Sequence, residues 1–452
     1  MASLLDLPLF NFSAMSIRGL KRLVTLSGPL AVLIFFVHRF WCGELGGFPL
    51  QLSSHIQSLP DNPIHSNVDE THSELFSAST ANKKYFSIDF SNQRAKNPNI
   101  IPHPFRNDTW IIVAQQIGSS VQNSIWFAEL VCNAVFKDGR LGCVEPPVIL
   151  PIAATSGDKC EGDLEYFSLN IGPHDARVFY GPRTPYVIYG SNSVYTCFGQ
   201  WMQDFRVLVD WGFEMYEERE FRKATELQRP DSYRDIEKNW FIFWDVNEQM
   251  YVHYDIVPKR VFAKLEFDGS VGPNLAPLAT TSDEKCLAIY MAKIGPELES
   301  IHQATNSLSI TLCRRSDSTC EVNNSNTFIL TIFHHKTYFS FHSVYEPYVL
   351  LFQQTTPFEI YGISRKPIWV HGRGKPFEGE KPDSLVAQGS KPWDHTEMFY
   401  ITSLSWKAHG QKYHGYIDDL LFISFGIEDS GSGGTDVVAG DLLRDLRYCF
   451  TP

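Results

Sequence analysis

Residues 235–264 read DIEKNWFIFWDVNEQMYVHYDIVPKRVFAK and contain three short apolar runs separated by turn residues. The runs cover residues 240–244, 250–257 and 261–267. Short aromatic and β-branched runs bounded by turn residues are typical of strands joined by tight connections. This stretch therefore predicts an antiparallel meander of three strands.

Polar residues accompany this predicted meander. Glu237, Lys238 and Asn239 come just before the first strand, and His253 and Asp255 share one face of the middle strand because side chains alternate along a strand. A rigid sheet that presents polar groups from its end commonly carries a binding site. We therefore expect Glu237, Lys238, Asn239 and His253 to contact a substrate, the alternative being a solvated strand end.

Comparable strand groups recur along the chain from Tyr85 onward. Each group has three or four short strands, and the groups lie within residues 97–128, 176–189, 235–267, 328–361 and 398–425. Radially repeated small sheets form a β-propeller, in which ring closure protects most sheet edges. The sequence thus predicts an all-β, five-bladed β-propeller. A decorated two-sheet sandwich would also explain the strands, but not their spacing, and residues 216–227 are the best helix candidate.

The N-terminal region resembles a membrane anchor. Arg18, Lys21 and Arg22 precede an uncharged run at residues 23–37, and residues 20–41 reach the length of a spanning helix. Basic residues on the N-terminal side predict a cytosolic N-terminus. A cleaved signal peptide is the alternative.

This pattern predicts a single-pass type II protein of the Golgi or endoplasmic reticulum membrane. The expected segments are a cytosolic tail at 1–22, an anchor at 23–41, a stem at 42–83 and a lumenal propeller at 84–452.

Net charge and cysteine content limit the classes of function and the cellular compartment that the sequence is compatible with. Acidic residues outnumber basic ones by 51 to 39, and the net charge of -12 argues against a general nucleic-acid partner. Eight of nine cysteines lie within the predicted lumenal propeller, an even number that permits full pairing in an oxidising compartment. Cys132 with Cys143 and Cys313 with Cys320 are the near pairs that we expect. Asn107 and Asn323 begin glycosylation triplets.

A short polar motif opens the second strand group. Residues 172–178 read GPHDARV, and Asp175 and Arg177 point to the same side if the chain there is extended. A carboxylate beside a guanidinium has a lowered pKa and serves better as a base than as an acid. The motif predicts a catalytic Asp175 with Arg177 binding substrate, while a turn-stabilising ion pair is the simpler alternative.

Two further polar clusters lie at predicted strand mouths. They contribute a second candidate catalytic carboxylate, Glu346, and several candidate substrate ligands. The clusters are His342, Tyr345 and Glu346 in HSVYEPYVLLF, and His414, Asp418 and Asp419 in HGYIDDLLF. Because blade entrances of a propeller converge on its axis, we expect these residues to gather with Asp175 in one funnel.

Two motifs carry a resemblance to known propeller families. GPHDARVF resembles the G-x-E-D-P-R segment of inverting mannoside phosphorylases, and IEKNWFIF resembles the E-K-N-W segment of related propellers. From Tyr85 onward the chain is similar to five-bladed glycoside hydrolases and phosphorylases and to fungal β-mannosyltransferase-like secretory proteins. The resemblance implies that Asp175 is the catalytic acid or base and that Arg177 binds an anion. His174 and Ala176 depart from the family's Glu and Pro.

These observations favour a membrane-anchored inverting glycosyltransferase that transfers a mannosyl group to a glycan. The alternatives are a propeller glycosidase or mannoside phosphorylase, and a non-catalytic glycan-binding propeller. We expect no cofactor and no metal site, because no spaced carboxylate motif requires one. A nucleotide sugar or inorganic phosphate would enter as a substrate, and the membrane is contacted through the N-terminal helix.

Overall fold

The computed structural model describes residues 71–118, 126–169, 172–212, 220–295, 298–339, 342–375 and 395–449. All of them belong to one compact unit, Ser66–Pro452. The predicted cytosolic tail, the anchor and the first part of the stem lie outside the described residues. Within the described part of the chain, no helix is long and apolar enough to cross a membrane.

Strands make up most of the regular secondary structure in the described residues, which confirms the prediction of an all-β fold. In chain order the strands are β1 (Ser73–Leu75), β2 (Phe86–Asp89), β3 (Ala95–Pro102), β4 (Trp110–Gln116), β5 (Glu129–Lys137), β6 (Arg140–Cys143), β7 (Val148–Ile149), β8 (His174–Tyr180), β9 (Pro185–Asn192), β10 (Phe198–Asp204), β11 (Thr225–Glu226), β12 (Phe241–Trp244), β13 (Met250–Asp255), β14 (Val261–Lys264), β15 (Glu299–Gln303), β16 (Leu308–Thr311), β17 (Thr327–Phe339), β18 (His342–Gln353), β19 (Ile360–Ser364), β20 (Ile368–Val370), β21 (Phe399–Trp406), β22 (His414–Tyr416), β23 (Leu420–Ile427), β24 (Gly431–Val438) and β25 (Leu446–Tyr448).

Helices are few in the described residues. The two α-helices are α1 (Thr280–Tyr290) and α2 (Ala439–Leu442), and short 3-10 segments occur at Gly162–Leu169, Phe205–Val207 and Ala276–Leu278. The helix expected at residues 216–227 is not found in the described part of that segment, where β11 pairs with β10 instead. Pairing at the edge of an existing sheet prevails there over the helical tendency of a charged run.

Apart from the two-stranded pair of β1 and β20, the strands form five successive groups, which we label sheets A to E; β2 joins A and E into one nine-stranded sheet. Sheet A contains β3 to β7, sheet B contains β8 to β11, and sheet C contains β12 to β14. Sheet D contains β15 to β19 with β22 and β25, and sheet E contains β21, β23 and β24 with β2 at its edge. The predicted meander is confirmed as sheet C, with antiparallel pairing of β12 to β13 and of β13 to β14.

Hydrogen bonds join each sheet to the next near its first strand, and the last sheet returns to the first. The five links are Asn99 Nδ2 to Ala176 O at 2.8 Å, Arg177 to Asn239 Oδ1 at 2.8 Å, Ser307 Oγ to Ile242 O at 2.7 Å, Asn306 Nδ2 to Leu404 O at 3.0 Å and Thr402 Oγ1 to Pro98 O at 2.5 Å. A closed ring of small sheets is the arrangement of a β-propeller.

Two N-terminal strands contribute to this ring. β2 pairs with β24 of sheet E and, in parallel, with β6 of sheet A, so it connects the start of the fold to its end. β1 lies within residues 71–83 of the predicted stem and pairs in parallel with β20. Backbone pairing of this kind keeps the edges of both sheets covered.

Four disulfides hold connections between and within the sheets. Cys132–Cys143 and Cys313–Cys320 confirm the two predicted near pairs. Cys160–Cys197 and Cys286–Cys449 are the other two, and the last attaches α1 to the C-terminal strand region. All eight cysteines in the described residues are therefore paired.

Candidate functional site

Asp175 lies near the start of β8, in a β-bulge. His174 pairs with Gly190 and Arg177 pairs with Ile188, so Asp175 and Ala176 together face a single residue of β9. The bulge places Asp175 in the left-handed region, at φ 49°. Bulges redirect side chains, and strained backbone of this kind concentrates at functional sites.

The same backbone feature recurs in the neighbouring sheets. Asn97 in β3 has φ 56°, and Asn239, just before β12, has φ 62°. Asn and Asp tolerate this region better than most residues. The amide Nδ2 of Asn97 donates to Oδ1 of Asp175 at 2.9 Å, so two of the three left-handed residues are in direct contact.

Arg177 is buried and binds only neutral oxygens among its described contacts. Its Nε donates to Ala304 O at 2.7 Å, and one terminal nitrogen donates to Asn239 Oδ1 at 2.8 Å and to the Tyr400 hydroxyl at 3.3 Å. Tyr400 in turn donates to Asn239 at 3.2 Å. Among the described residues no carboxylate pairs with this guanidinium, which leaves its charge available to an anion.

We call Asn97, Asp175, Arg177, Asn239 and Tyr400 the inlet cluster. Its members come from the first strands of sheets A, B and E and from the segment that leads into sheet C. The ion pair between Asp175 and Arg177, considered from the sequence, is not formed. The bulge explains this difference, because it turns Asp175 toward Asn97 while Arg177 stays directed at the neighbouring sheets.

Lysines add positive charge around the inlet cluster. Lys96 lies 3.4 Å from Asp429, and the Lys238 ammonium lies 5.4 Å from the centre of the Phe198 ring. Burial lowers the pKa of Lys336; the charge of Asp429 opposes this shift, and the charge of Lys238 adds to it. Several lysines gathered in one region favour an anionic ligand.

Histidines near the inlet cluster are held neutral. Burial lowers the pKa of His174 to about 4, and its ring packs 3.8 Å from that of Phe127. Burial, followed by the charges of Lys336 and Lys238, lowers the pKa of His302 to about 4. Neutral imidazoles beside lysines avoid adding to the local positive charge.

Aromatic rings form one wall of the same region. The rings of Tyr345 and Tyr400 lie 4.9 Å apart, and the fully buried ring of His334 lies 5.0 Å from Tyr400. The backbone N–H of Ile401 donates to Nε2 of His334 at 3.2 Å. A neutral His334 therefore carries its proton on Nδ1, which has no partner among the described residues.

A buried carboxyl lies directly behind Asp175. Glu129, the first residue of β5, has no exposed surface, and its Oε1 accepts the backbone N–H of Ala176 at 3.2 Å. Burial raises the pKa of Glu129 well above its usual range, and the charge of Asp175 raises it further. Within the described residues its Oε2 has no partner, an unusual state for a buried polar atom.

Several of these residues were not identified from the sequence. They lie in segments whose sequences are typical of ordinary apolar or mixed strands. These residues are Asn97, Glu129, His302, Lys336 and Tyr400. Asn97 precedes Pro98 at the head of the first group, which is the one local signal that marks a backbone irregularity. For the other four residues, only the ring closure brings them beside Asp175.

Glu237 and His253, expected at a substrate site, lie in the interior of sheet C. Glu237 pairs with Arg229 at 2.7 Å, and both side chains are almost fully buried. His253 has no exposed surface, contacts Gln303 through Nδ1 and accepts from Arg260 at 2.9 Å. Both faces of the middle strand are buried because other sheets cover them, so these polar groups stabilise the interior.

His342, Tyr345 and Glu346 lie together in β18, but they face different surroundings. Tyr345 faces Tyr400 of the inlet cluster, whereas Glu346 binds His72 at 2.9 Å and approaches Arg373 at 3.5 Å. Burial by itself raises the pKa of Glu346, but Arg373 and His72 together bring it below its usual value.

His342 is buried, and its Nδ1 lies 3.5 Å from Glu428 Oε2. Its Nε2 lies 3.2 Å from the carbonyl oxygen of Thr396. These contacts connect β18 to the segment that precedes β21 and to the residue that follows β23. His342 therefore helps to stabilise the structure beside Tyr345.

His414, Asp418 and Asp419 lie at the other end of the ring. β21 begins beside the inlet cluster, at Tyr400, and its eight residues carry the chain roughly 25 Å to Trp406. The three residues follow that end of the strand. They do not join Asp175 in one funnel, because the ring brings together residues at equal depth along its inner strands.

At that end the three residues are bound to their surroundings. Asp419 accepts two hydrogen bonds from Arg315, at 2.8 and 2.7 Å, and Asp418 accepts from the Arg315 backbone N–H at 2.6 Å. His414 contacts Thr311 at 2.7 Å. His414 and Asp419 line a cavity of about 940 Å³ whose lining includes no member of the inlet cluster.

The described residues contain no group of three or more His, Cys, Asp or Glu side chains arranged to hold a metal ion. The inlet cluster itself offers the partly exposed carboxylate of Asp175 and the buried guanidinium of Arg177, with lysines and the Asp429 carboxylate nearby. Such a set can accept a proton and bind an anion in the same place.

Comparisons with known proteins identify similar solved structures only. No family model matches the chain, and no curated protein matches it. A β-1,2-mannobiose phosphorylase from Listeria innocua is 11% identical, with 82% of this chain and 96% of that chain covered at a TM-score of 0.42. The mannosyltransferase MPT-1 from Leishmania mexicana, described as GDP-Man-dependent, is 10% identical, with 78% and 88% covered at 0.35.

An α-L-arabinofuranosidase from Lactobacillus brevis is 10% identical, with 76% of this chain and 90% of that chain covered at a TM-score of 0.37. At these identities and scores the similarities indicate no function for this chain.

Proposed function

We propose that this chain is a carbohydrate-active enzyme built on a five-bladed β-propeller, with sheets A to E as its blades. Its proposed activity is inverting glycosyl transfer, with a mannosyl group as the expected sugar and a glycan as the acceptor. The observation that carries the proposal is the inlet cluster. Asp175 is held by Asn97 at 2.9 Å, next to a buried Arg177 that has only neutral partners among the described residues.

In this reaction Asp175 acts as the general base. Its carboxylate takes the proton of an acceptor hydroxyl, and the acceptor oxygen attacks the anomeric carbon of the donor sugar. The bond between that carbon and the phosphate oxygen breaks, and the phosphate leaves with the bonding electron pair. A single displacement of this kind inverts the configuration at the anomeric carbon.

Arg177, with Lys238 and Lys336, stabilises the departing phosphate. Buried guanidinium groups bind phosphate through paired N–H donors, and a site with little water strengthens that attraction. Tyr345 and Tyr400 offer aromatic surface beside the same cluster. Aromatic faces with convergent polar groups are suited to a sugar ring.

A mannoside phosphorylase is the second candidate, because inorganic phosphate fits the same anion site. In that reaction Arg177 and the lysines hold the attacking phosphate, and Asp175, carrying a proton, donates it to the leaving sugar oxygen. The two candidates use the same residues and differ in the anion supplied. A glycan-binding protein without catalysis is the remaining alternative.

We also propose that the enzyme works in the Golgi or endoplasmic reticulum, anchored by residues 23–41. Four disulfides support this proposal, since disulfides persist in oxidising compartments. Microscopy of the tagged full chain, with protease protection of intact vesicles, tests it. Protection of a C-terminal tag and exposure of an N-terminal tag are expected.

The activity test uses the purified full chain with a panel of nucleotide sugars and mannose oligosaccharides, and separately with mannosides and inorganic phosphate. We expect sugar transfer with one of these pairs. The Asp175→Asn variant is expected to lose 100- to 10,000-fold in kcat, on the order of a general base's contribution, and to keep its fold. Its amide oxygen still accepts from Asn97.

Asp441→Asn, in an exposed pair with Arg444, is the matched control and should keep full activity. Full turnover by Asp175→Asn would show that Asp175 is not the general base. Retention of glycans without any product would favour the binding protein instead.

A further inference from the structure

The bulge at Asp175 leaves the backbone of Ala176 without its normal strand partners. Two residues of β8 face one residue of β9, so the Ala176 N–H and C=O are not paired within sheet B. A buried backbone group without a partner is strongly unfavourable. Something outside sheet B must therefore satisfy this peptide.

Two side chains of sheet A do so. Glu129 accepts the Ala176 N–H at 3.2 Å, and Asn99 donates to the Ala176 carbonyl at 2.8 Å. Asn99 also accepts the N–H of Val178 at 3.1 Å. The N–H and the C=O of Ala176 are thus both held from sheet A, while β8 resumes its pairing with β9 at Arg177.

We propose that Glu129 is a positioning residue for Asp175. By accepting the Ala176 N–H it holds the bulge, and the bulge keeps the Asp175 carboxylate directed at Asn97 and the substrate. Glu129 itself does not touch the substrate, because it has no exposed surface. This inference rests on the function proposed above, in which Asp175 is the general base.

The carboxyl of Glu129 performs this role in its neutral form. An ionised carboxylate with one hydrogen bond and no exposed surface would carry a large desolvation penalty. A negative charge there would also repel the charge of Asp175. A neutral acid supplies the required acceptor oxygen and leaves Asp175 as the carboxylate that ionises.

This arrangement distinguishes Glu129→Gln from Glu129→Leu. Glutamine is uncharged and keeps an acceptor oxygen of the same reach, so Glu129→Gln should retain kcat within about 2-fold. The Glu129→Gln variant should also show an unchanged pH dependence of kcat/KM. Leucine removes the acceptor, so the bulge loses its support and kcat should fall on the order of 100-fold with little change in KM.

Glu226→Leu is the matched control. Glu226 is only partly buried, unlike Glu129, but burial also raises the pKa of its carboxyl, and it accepts the backbone N–H of Val194 at 3.2 Å. It lies in β11, three strands from β8 in the same sheet, which is roughly 14 Å away. Its substitution should leave kcat unchanged.

The test combines kinetics with a structural measurement that does not need turnover. Hydrogen exchange of the Ala176 amide, followed by NMR, should accelerate in Glu129→Leu and stay slow in Glu129→Gln and Glu226→Leu. If the wild-type chain has no activity, the proposed function fails, while the exchange measurement still decides the role of Glu129 in holding the bulge.

Two outcomes overturn the inference. Equal loss of activity in Glu129→Gln and Glu129→Leu, with a protected Ala176 amide, would mean that the charge or proton of Glu129 acts directly. Unchanged kcat and exchange in Glu129→Leu would mean that the bulge needs no support. If Glu129→Leu does not fold, the activity and pH profile of Glu129→Gln still decide between the two forms of the carboxyl.

Discussion

Asp175 and Arg177 are separated by one residue in β8, yet each binds a different neighbouring blade. Asp175 accepts from Asn97 of sheet A, whereas Arg177 donates to Asn239 at the entrance to sheet C. The bulge at Asp175 produces this divergence. An acid and a cation that would neutralise each other on a regular strand are thereby kept apart, as the proposed proton transfer and anion binding require.

Replacement of Arg177 tests the anion site. Arg177→Lys keeps a positive charge but cannot reach Ala304, Asn239 and Tyr400 together, because lysine lacks the planar fork of arginine. We expect binding of inorganic phosphate or a nucleoside diphosphate, measured by calorimetry, to weaken 10-fold or more. The free energy of unfolding should fall by about 2 kcal/mol, since buried partners lose hydrogen bonds.

Arg444→Lys provides the matched control, because that guanidinium is exposed in a pair with Asp441. Anion binding and stability should both remain unchanged there. If Arg177→Lys binds the anion as tightly as the wild-type chain, the lysines alone form the anion site.

Replacement of Asn97 separates backbone strain from the contact with Asp175. Asn97→Gly accepts φ 56° without strain but loses the hydrogen bond to Asp175, while Asn97→Ala loses the bond and is strained. Both variants should lose about 10-fold or more in kcat. Asn97→Ala should be less stable than Asn97→Gly by about 1 kcal/mol, measured by urea unfolding. Equal stability of the two would contradict the left-handed conformation.

Stability should fall between neutral and mildly acidic pH because His302 is kept neutral in the fold. Its folded pKa of about 4 lies below the ordinary value of 6.5, so the unfolded chain binds a proton first as the pH falls. The stability lost on this account accumulates as the pH falls from about 6.5 to 4. From pH 7 to pH 5 the loss is about 2 kcal/mol.

The His302→Gln variant should lose less stability over the same pH interval than the wild-type chain. Urea unfolding of both proteins at pH 7 and pH 5 measures the difference. The same loss in both proteins would show that His302 titrates normally in the fold.

The disulfides should differ in their contribution to stability. Cys286 and Cys449 are 163 residues apart, and Cys313 and Cys320 are 7 apart. Because a cross-link limits the unfolded chain more when it closes a longer loop, replacing the first pair by serine should cost about 5 kcal/mol and the second about 2 kcal/mol. Urea unfolding of the two double variants measures the order, and the reverse order would contradict the loop-length argument.

Local patterns were sufficient for part of this structure. The apolar runs of residues 235–264 predicted the three strands of sheet C, since each run is short and bounded by turn residues. The pairs Cys132–Cys143 and Cys313–Cys320 followed from short spacing. GPHDARV marked the strand that carries Asp175, although an extended chain there does not predict a bulge.

The same reasoning misplaced residues whose surroundings are supplied from far away in the chain. Glu237 and His253 appear as polar groups at a strand end, but Arg229 and Arg260 cover them in the interior. Like the other candidates, His414 precedes an apolar strand. It lies beyond the end of β21, however, whereas the inlet cluster lies at the start of β21. Strand direction and depth in the ring do not show in a local pattern.

By itself the sequence determined the all-β character, the strand runs and the two near cysteine pairs, because these follow from period-two patterns, turn residues and short spacing. Tertiary structure decided which polar residues meet. Asn97 and Glu129 of sheet A, Asp175 of sheet B, Tyr400 of sheet E and Asn239 before sheet C are far apart in the chain, and their proximity results from ring closure, which sets inner strands side by side at equal depth. Tertiary structure also raises the pKa of Glu129, since burial from several sides disfavours the charged carboxylate.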